Sequence, residues 1–351
     1  MKFVILATIV AIAAAYHGPE VPIHLDRIDK QAENCPWNPQ LASYNPKVYV
    51  NNDAVVYIVG HGLDEYHDNF AKPGGGSNAD ILFDFFSPNL GVDTNGLGTA
   101  IAGAVGGYYT GVGRNISLEG VRVIDEPSYK NIDMKNYEDG LRAVVTDYKG
   151  RKAENPVNYT RGVVLLCPYI NVTSADTTDV EMYIIDMLNE DLVVVGPTGD
   201  SEDAPFKNCT DYFPGNMDQQ GLITVGNCLN SNILHLNSIP GACNEIYAPG
   251  SYVYTSYYDI DDPNNHDNYV QAKPGSPLAA ALVAGAAAMV RSSCPGLDNT
   301  EVEQKIIEFS TTKNDEVRHP VTNEVVGYML RYPNENDAYE FCTPPITAQY
   351  T

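Results

Sequence analysis

Continuous apolar runs alternate with amphipathic ones along this chain, and that alternation predicts a parallel α/β fold. Ala54–Gly60 (AVVYIVG), Gly162–Cys167 and Leu192–Val195 are short β-branched runs with no polar face, as expected of strands covered on both sides. Val121–Ile124, Leu222–Val225 and Glu245–Ala248 read as further strands. Helical periodicity appears in Tyr137–Tyr148, where Leu141, Val144, Val145 and Tyr148 share one face, and again in Val180–Leu188. Gly96–Gly107 predicts a helix of small residues, and Thr300–Phe309 one that opens on a capping box of Thr300 and Glu303. Lys273–Val290 is the stretch around which the rest is arranged. Ser276 suits the N-cap and Pro277 the first helical position, where no N–H is needed. Its apolar run of about fourteen residues falls short of the roughly twenty that cross a bilayer, so it predicts a buried core helix.

The rhythm of strand and helix predicts one α/β domain over 49–310, with a mostly parallel, doubly wound sheet and helices on both faces. Outside it lie three segments of different character. Residues 1–15 carry Lys2, the apolar Phe3–Ile12 and Ala13-Ala14-Ala15, the pattern of a cleaved secretory leader. Residues 16–48, with Pro19, Pro22, Pro36, Pro39 and Pro46, read as an extended arm, and 311–351 as a polar, irregular C-terminal extension. His61–Ser87, with Pro73-Gly74-Gly75-Gly76, reads as loop.

Charge narrows the partners. A formal net charge of −24 repels phosphate backbones and anionic lipid, so neither nucleic acid nor a membrane surface is expected as a partner. A leader followed by the sequons at Asn115, Asn158, Asn171 and Asn208 predicts a secreted, extracellular glycoprotein. The seven cysteines lack CxxC spacing, which disfavours zinc and dithiol redox chemistry. Cys209–Cys228 and Cys209–Cys243 are the easiest disulfide closures, and Cys167, inside an apolar run, is the candidate buried thiol.

Few motifs suggest a cofactor. Asn95–Gly103 is Gly-rich, but its third glycine comes too late and no strand immediately precedes it, so close helix packing explains it better than a dinucleotide. His61, Asp64, His67 and Asp68 could gather round a metal, yet loop residues of these types are more often solvated; no metal site and no cofactor is predicted.

Three stretches, in order, resemble one family, the subtilisin-like serine proteases (peptidase S8), and its proteinase K branch most closely. Val56–Asp64 is similar to the strand and turn around the family's catalytic Asp. Asn95–Gly103 resembles its HGTHVAG helix start, and Gly275–Gly285 its GTSMAxPHVAG nucleophile helix. Asn34-Cys35-Pro36-Trp37, Gly120–Val123, Leu222–Gly226 and Ala248-Pro249-Gly250 support the match, which runs from about Asn34 to Phe309. The resemblance implies a subtilisin-like fold. It also implies that the catalytic Asp position holds Gly60, the His position Leu97, the Ser position Pro277 and the oxyanion-donor position Asp200.

Gly, Leu and Pro can supply no orienting carboxylate, no base and no nucleophile, so no catalytic residue is expected at these positions. Ser276 and His61 stand one residue from two of them, but the N-cap role expected of Ser276 argues against a rescued pair. The family's substrate edge corresponds to Pro168–Asn171, where Ile170 would fill space that glycines leave open. Structural calcium is conceivable at Glu245, although Gly221 and Ile223 stand where other ligands would be expected. The expectation is a secreted, catalytically inactive pseudoprotease, not an enzyme, that binds a protein or peptide or acts as a decoy. The alternatives are a divergent serine-type endopeptidase with a relocated active site, or an extracellular structural glycoprotein.

Overall fold

The computed structural model describes residues 21–29, 44, 54–72, 75–86, 93–114, 116–125, 132–155, 161–200, 208–333 and 342. The segment read as a leader, most of the segment read as an N-terminal arm, and the sequons at Asn115 and Asn158 fall outside these residues.

The six predicted strands and one further edge strand form a seven-stranded parallel sheet. Its members are β1 (Ala54–Gly60), β2 (Ala79–Asp84), β3 (Ser117–Arg122), β4 (Arg161–Leu166), β6 (Val193–Pro197), β8 (Leu222–Cys228) and β9 (Ile246–Pro249). A two-residue strand β5 (Ile170–Asn171) and its partner β7 (Tyr212–Phe213) lie beside this sheet. The order β2-β3-β1-β4-β6-β8-β9 puts β1 where the winding reverses, with β3 on one side and β4 on the other. In open α/β sheets, sites form beyond the C-terminal strand ends at such a reversal.

Alternation along β1 explains the two layers of helices. Val56 and Ile58 point into a core shared with α2 (Leu97–Gly106), α5 (Ser276–Ser293) and α6 (Asn299–Thr312). Val55, Tyr57 and Val59 point the other way, toward Tyr137, Leu141 and Val144 of α3 (Met134–Glu154) and Ile184 and Met187 of α4 (Thr178–Asn189). α5 is long and apolar enough to cross a membrane, but 89% of its apolar window is buried inside the protein, so it is the central core helix. Its alanines leave room for close packing against α2 and five strands, β1, β4, β6, β8 and β9.

Several sequence readings change. Residues 23–29 of the supposed arm form α1 (Ile23–Asp29), which buries Leu25 and Ile28. The His61–Ser87 loop contains the edge strand β2. Beyond residue 311, β12 (Glu316–Arg318) and β13 (Val325–Tyr328) form a hairpin, which follows another, β10 (Tyr254–Ser256) with β11 (Tyr269–Gln271). The capping box of α6 is Asp298 with Glu301, two residues before the expected pair. Glu303 turns inward instead, and its carboxylate accepts the Gly221 N–H.

Among the described cysteines, Cys209 pairs with Cys243 and Cys294 with Cys342, while Cys167 and Cys228 are buried thiols. This selects one of the two closures proposed for Cys209 and agrees with the reading of Cys167. Cys35 lies outside the described residues.

Candidate functional site

The C-terminal ends of β1, β4 and β6 lie side by side, and the N-termini of α2 and α5 close over them. β1 ends at Gly60, whose carbonyl accepts the N–H groups of Val123 (2.8 Å) and Ile124 (3.0 Å). Cys167 follows β4 and donates its N–H to Val59 (3.0 Å), which sets its side chain against Gly60. A Cβ on Gly60 would stand 2.8 Å from the Cys167 Cβ and 3.0 Å from its sulfur, so the place where a carboxylate would grow from residue 60 is filled. Burial pushes the Cys167 thiol well above its ordinary value, so it stays a neutral, inert thiol.

α2 begins at Leu97, which is partly exposed. The fully buried Asp93 organises this start, because its carboxylate accepts N–H groups from Asn95 (3.1 Å), Gly96 (3.0 Å) and Thr99 (2.8 Å). Burial nevertheless raises its pKa to about 6 against those hydrogen bonds. A Cβ on Gly98 would lie 1.8 Å from the Gly62 carbonyl, so only glycine lets the helix come this close to the turn after β1. Thr99 completes the junction by accepting the Asp64 N–H (3.0 Å).

α5 begins differently from the sequence reading. Gly275 is the N-cap, and Ser276 and Pro277 are the first two helical residues. The buried Ser276 does not turn its oxygen back to the helix. Both its N–H (2.7 Å) and its hydroxyl (2.9 Å) donate to Asp200 Oδ2. A carboxylate at a helix N-terminus is a stronger acceptor than a serine hydroxyl and also answers the helix dipole, which is why Asp200 displaces the expected cap. Asp200 follows Gly199, whose φ of +104° turns the chain after β6 toward α5. Pro277 is buried and has no N–H to offer.

The expected site residues therefore fall at one edge of the sheet: Gly60 ends β1, Leu97 opens α2, Pro277 opens α5, and Asp200 is bonded to its neighbour. The hydroxyl of Ser276 is committed to a carboxylate rather than to an imidazole. The Cys167 side chain filling the space beside Gly60 had no signal in the sequence, because it depends on the register of β1 against β4, Val59 opposite Leu166.

The groove edge is occupied from within. Ile170 is buried and pairs with Phe213, and Asn171 pairs with Tyr212, so β7 takes one edge of β5. Asn171 accepts from the Thr173 N–H (2.9 Å) and hydroxyl (2.6 Å), and Asn208 is exposed at the cap of a short 3₁₀ turn.

Two of the suspected metal residues, Asp64 and His67, have other work. Asp64 Oδ2 lies 2.8 Å from His266 Nδ1, a partner invisible in sequence, and His67 bonds to Asn268 and Asn69. Glu245 accepts the Thr224 N–H (3.0 Å) and lies beside the carboxyl group of Glu303. Burial, then the like charge of Glu303, raises its pKa. Among the described residues no group of three or more His, Cys, Asp or Glu is placed to hold a metal ion.

Comparison with known proteins places these features in a family. The profile of the subtilase family matches residues 87–328. Alkaline serine exoprotease A of Vibrio alginolyticus is 25% identical over 291 residues, 82% of this chain and 46% of that protein. Extracellular serine proteinase of a Thermus species is 25% identical over 221 residues, 62% of this chain and 47% of its own length. This chain thus spans about half the length of those two relatives. Subtilisin DY of Bacillus licheniformis is 25% identical over 276 residues, 76% of this chain and 87% of that protein. In three dimensions, a cold adapted subtilisin-like serine proteinase superposes with a TM-score of 0.68 at 21% identity, covering 89% of this chain and 98% of its own, a likeness of fold.

The expectation that this chain is not an enzyme is corrected by these comparisons. The relatives are named as serine proteases, and the family points to an enzyme. Gly60, Leu97 and Pro277 limit what three positions can do, which is a narrower statement than absence of activity.

Proposed function

Because this chain belongs to the subtilase family of peptidases, we propose that it engages extended polypeptide at the C-terminal edge of its sheet, outside the cell. One observation carries this reading: Gly60, Leu97 and Pro277 stand at the ends of β1, α2 and α5, where the resemblance calls for Asp, His and Ser. An Asp–His–Ser relay needs a nucleophile, a base and an orienting carboxylate, and these three supply none of them. Recognition of polypeptide at that edge is supported whichever residues act on it there. The names of the relatives, extracellular proteinase and exoprotease among them, support export and a polypeptide ligand.

A second reading is favoured by the family itself, namely a serine-type endopeptidase whose chemistry has moved. Ser276 is the hydroxyl to test, since it sits one residue before Pro277 and already bonds to an acidic group.

One experiment separates the two. The purified chain is mixed with unfolded casein; binding is followed by calorimetry, new termini by mass spectrometry, and serine reactivity by the intact mass after a fluorophosphonate. Binding without new termini or adduct supports the first reading. Cleavage and labelling that disappear in Ser276→Ala support the second. Absence of binding and of cleavage overturns both.

A further inference from the structure

Four tyrosines gather at the far end of α2 from Leu97, about 15 Å along the helix at 1.5 Å per residue. Tyr108 and Tyr109 follow the helix and are 40% and 50% exposed, with ring centroids 5.0 Å apart. Tyr254 and Tyr269 lie on one face of the β10–β11 hairpin, because Ser256 pairs with Tyr269 and Tyr254 with Gln271. Their rings stack at 5.8 Å and 12°.

A buried asparagine holds the two pairs in one frame. Asn69 accepts the N–H of Tyr108 on its carbonyl (2.7 Å) and that of Tyr109 on its side chain (2.8 Å). Its amide donates to Thr110 Oγ1 (2.8 Å) and to Ser256 Oγ (2.7 Å), next to Tyr254. His67 meets Tyr269 edge to face at 5.2 Å. Tyr108 and Tyr109 are exposed, Tyr254 and Tyr269 are half-buried, and rings fixed this firmly lose little freedom on meeting a ligand.

Two acids stand beside them. Asp68 and Asp267 are exposed, and the Asp68 N–H bonds to the carbonyl of His266 (2.8 Å), which brings both acids to the hairpin. Burial, and after it the charge of Asp267 and Asp68, pushes the Tyr269 phenol up. Aromatic faces in a negative field attract guanidinium and ammonium groups.

We propose that Tyr108, Tyr109, Tyr254 and Tyr269, flanked by Asp68 and Asp267, form a docking surface for an Arg- or Lys-bearing polypeptide segment, apart from the sheet-edge site. The ring faces take the cation and the two carboxylates supply the long-range attraction. The surface is independent of whatever happens at Gly60, Leu97 and Pro277.

The test is calorimetric titration of the full chain with hexa-arginine in about 300 mM NaCl, where general attraction to a chain of net charge −24 is screened. Tyr109→Ala and Tyr254→Ala should each raise Kd about ten-fold, and Asp267→Asn should raise it less. Tyr109→Phe, which keeps the ring, should restore binding. Met182→Ala, on the exposed face of α4, should leave Kd unchanged, and thermal midpoints certify that every variant folds. Equal affinity in the tyrosine variants would overturn the proposal, as would a preference for chitohexaose over hexa-arginine.

Discussion

The side chain of Cys167 occupies the space beside Gly60, 2.8 Å from the point where a Cβ on residue 60 would lie. Gly60→Ala should therefore destabilise the protein by about 1–3 kcal/mol through overpacking. Gly60→Ala combined with Cys167→Gly should be less destabilising than the sum of the single changes, because each removes what the other collides with. Urea denaturation of the four proteins measures the coupling. Strict additivity would mean that the backbone yields and the contact matters little.

Asp200 and Ser276 lock the N-terminus of α5. Asp200→Asn removes the charge facing the helix dipole and should cost about 0.5–2 kcal/mol, read as a lowered denaturation midpoint. Ser276→Ala loses one hydrogen bond and should cost about 1 kcal/mol. The double variant should cost less than the sum, since the hydroxyl and the carboxylate answer each other.

Acid should stabilise this protein over a range where many proteins weaken. Asp93, at about 6, and the Glu245–Glu303 pair hold protons more tightly folded than unfolded. Their contribution is fully present below the unfolded carboxylate range, near 4, and is lost as pH rises through their raised folded values. The thermal midpoint should accordingly rise from pH 8 to pH 5. Glu245→Gln, which keeps an acceptor for Thr224, should flatten that rise, while Glu154→Gln on the exposed end of α3 should not. Equal slopes in the two variants would assign the effect to overall charge alone.

Asp315 stands between two arginines, with Arg27 at 3.2 Å and Arg331 at 3.3 Å, all three nearly buried. Asp315→Ala leaves two buried cations facing one another and should cost about 3–5 kcal/mol. Replacing Lys135, whose partners Glu138 and Asp139 lie on an exposed helix face, should cost under about 1 kcal/mol. Denaturation midpoints for the two variants test the contrast.

The sheet was legible because a strand buried on both faces must be apolar throughout, and Ala54–Gly60 has no polar residue to confuse the reading. The Ala-rich α5 was legible for a similar reason. β2 was not, since an edge strand reading ADILFD has two acids and neither a continuous apolar run nor a clean alternation, and it follows a Gly-rich loop. α1 was obscured by the prolines around it, and its burial depends on Arg27 reaching Asp315 from the other end of the chain. Within the site, the residues at Gly60, Leu97 and Pro277 could be read, but their surroundings could not. The cap expected from Ser276 alone was overruled by Asp200, 76 residues away, and the thiol beside Gly60 depends on strand register. Short-range chemistry is written locally, whereas the groups that complete it arrive through topology.

The ion pair between Arg27 and Asp315 spans 288 residues of sequence. A ribosome adding 5–20 residues per second separates the birth of these two groups by roughly 15–60 s. Throughout that interval α1 has been made but its guanidinium cannot meet Asp315, so the first of the described helices is among the last to be secured. A stalled nascent chain ending before residue 315 should show residues 21–29 still open to protease.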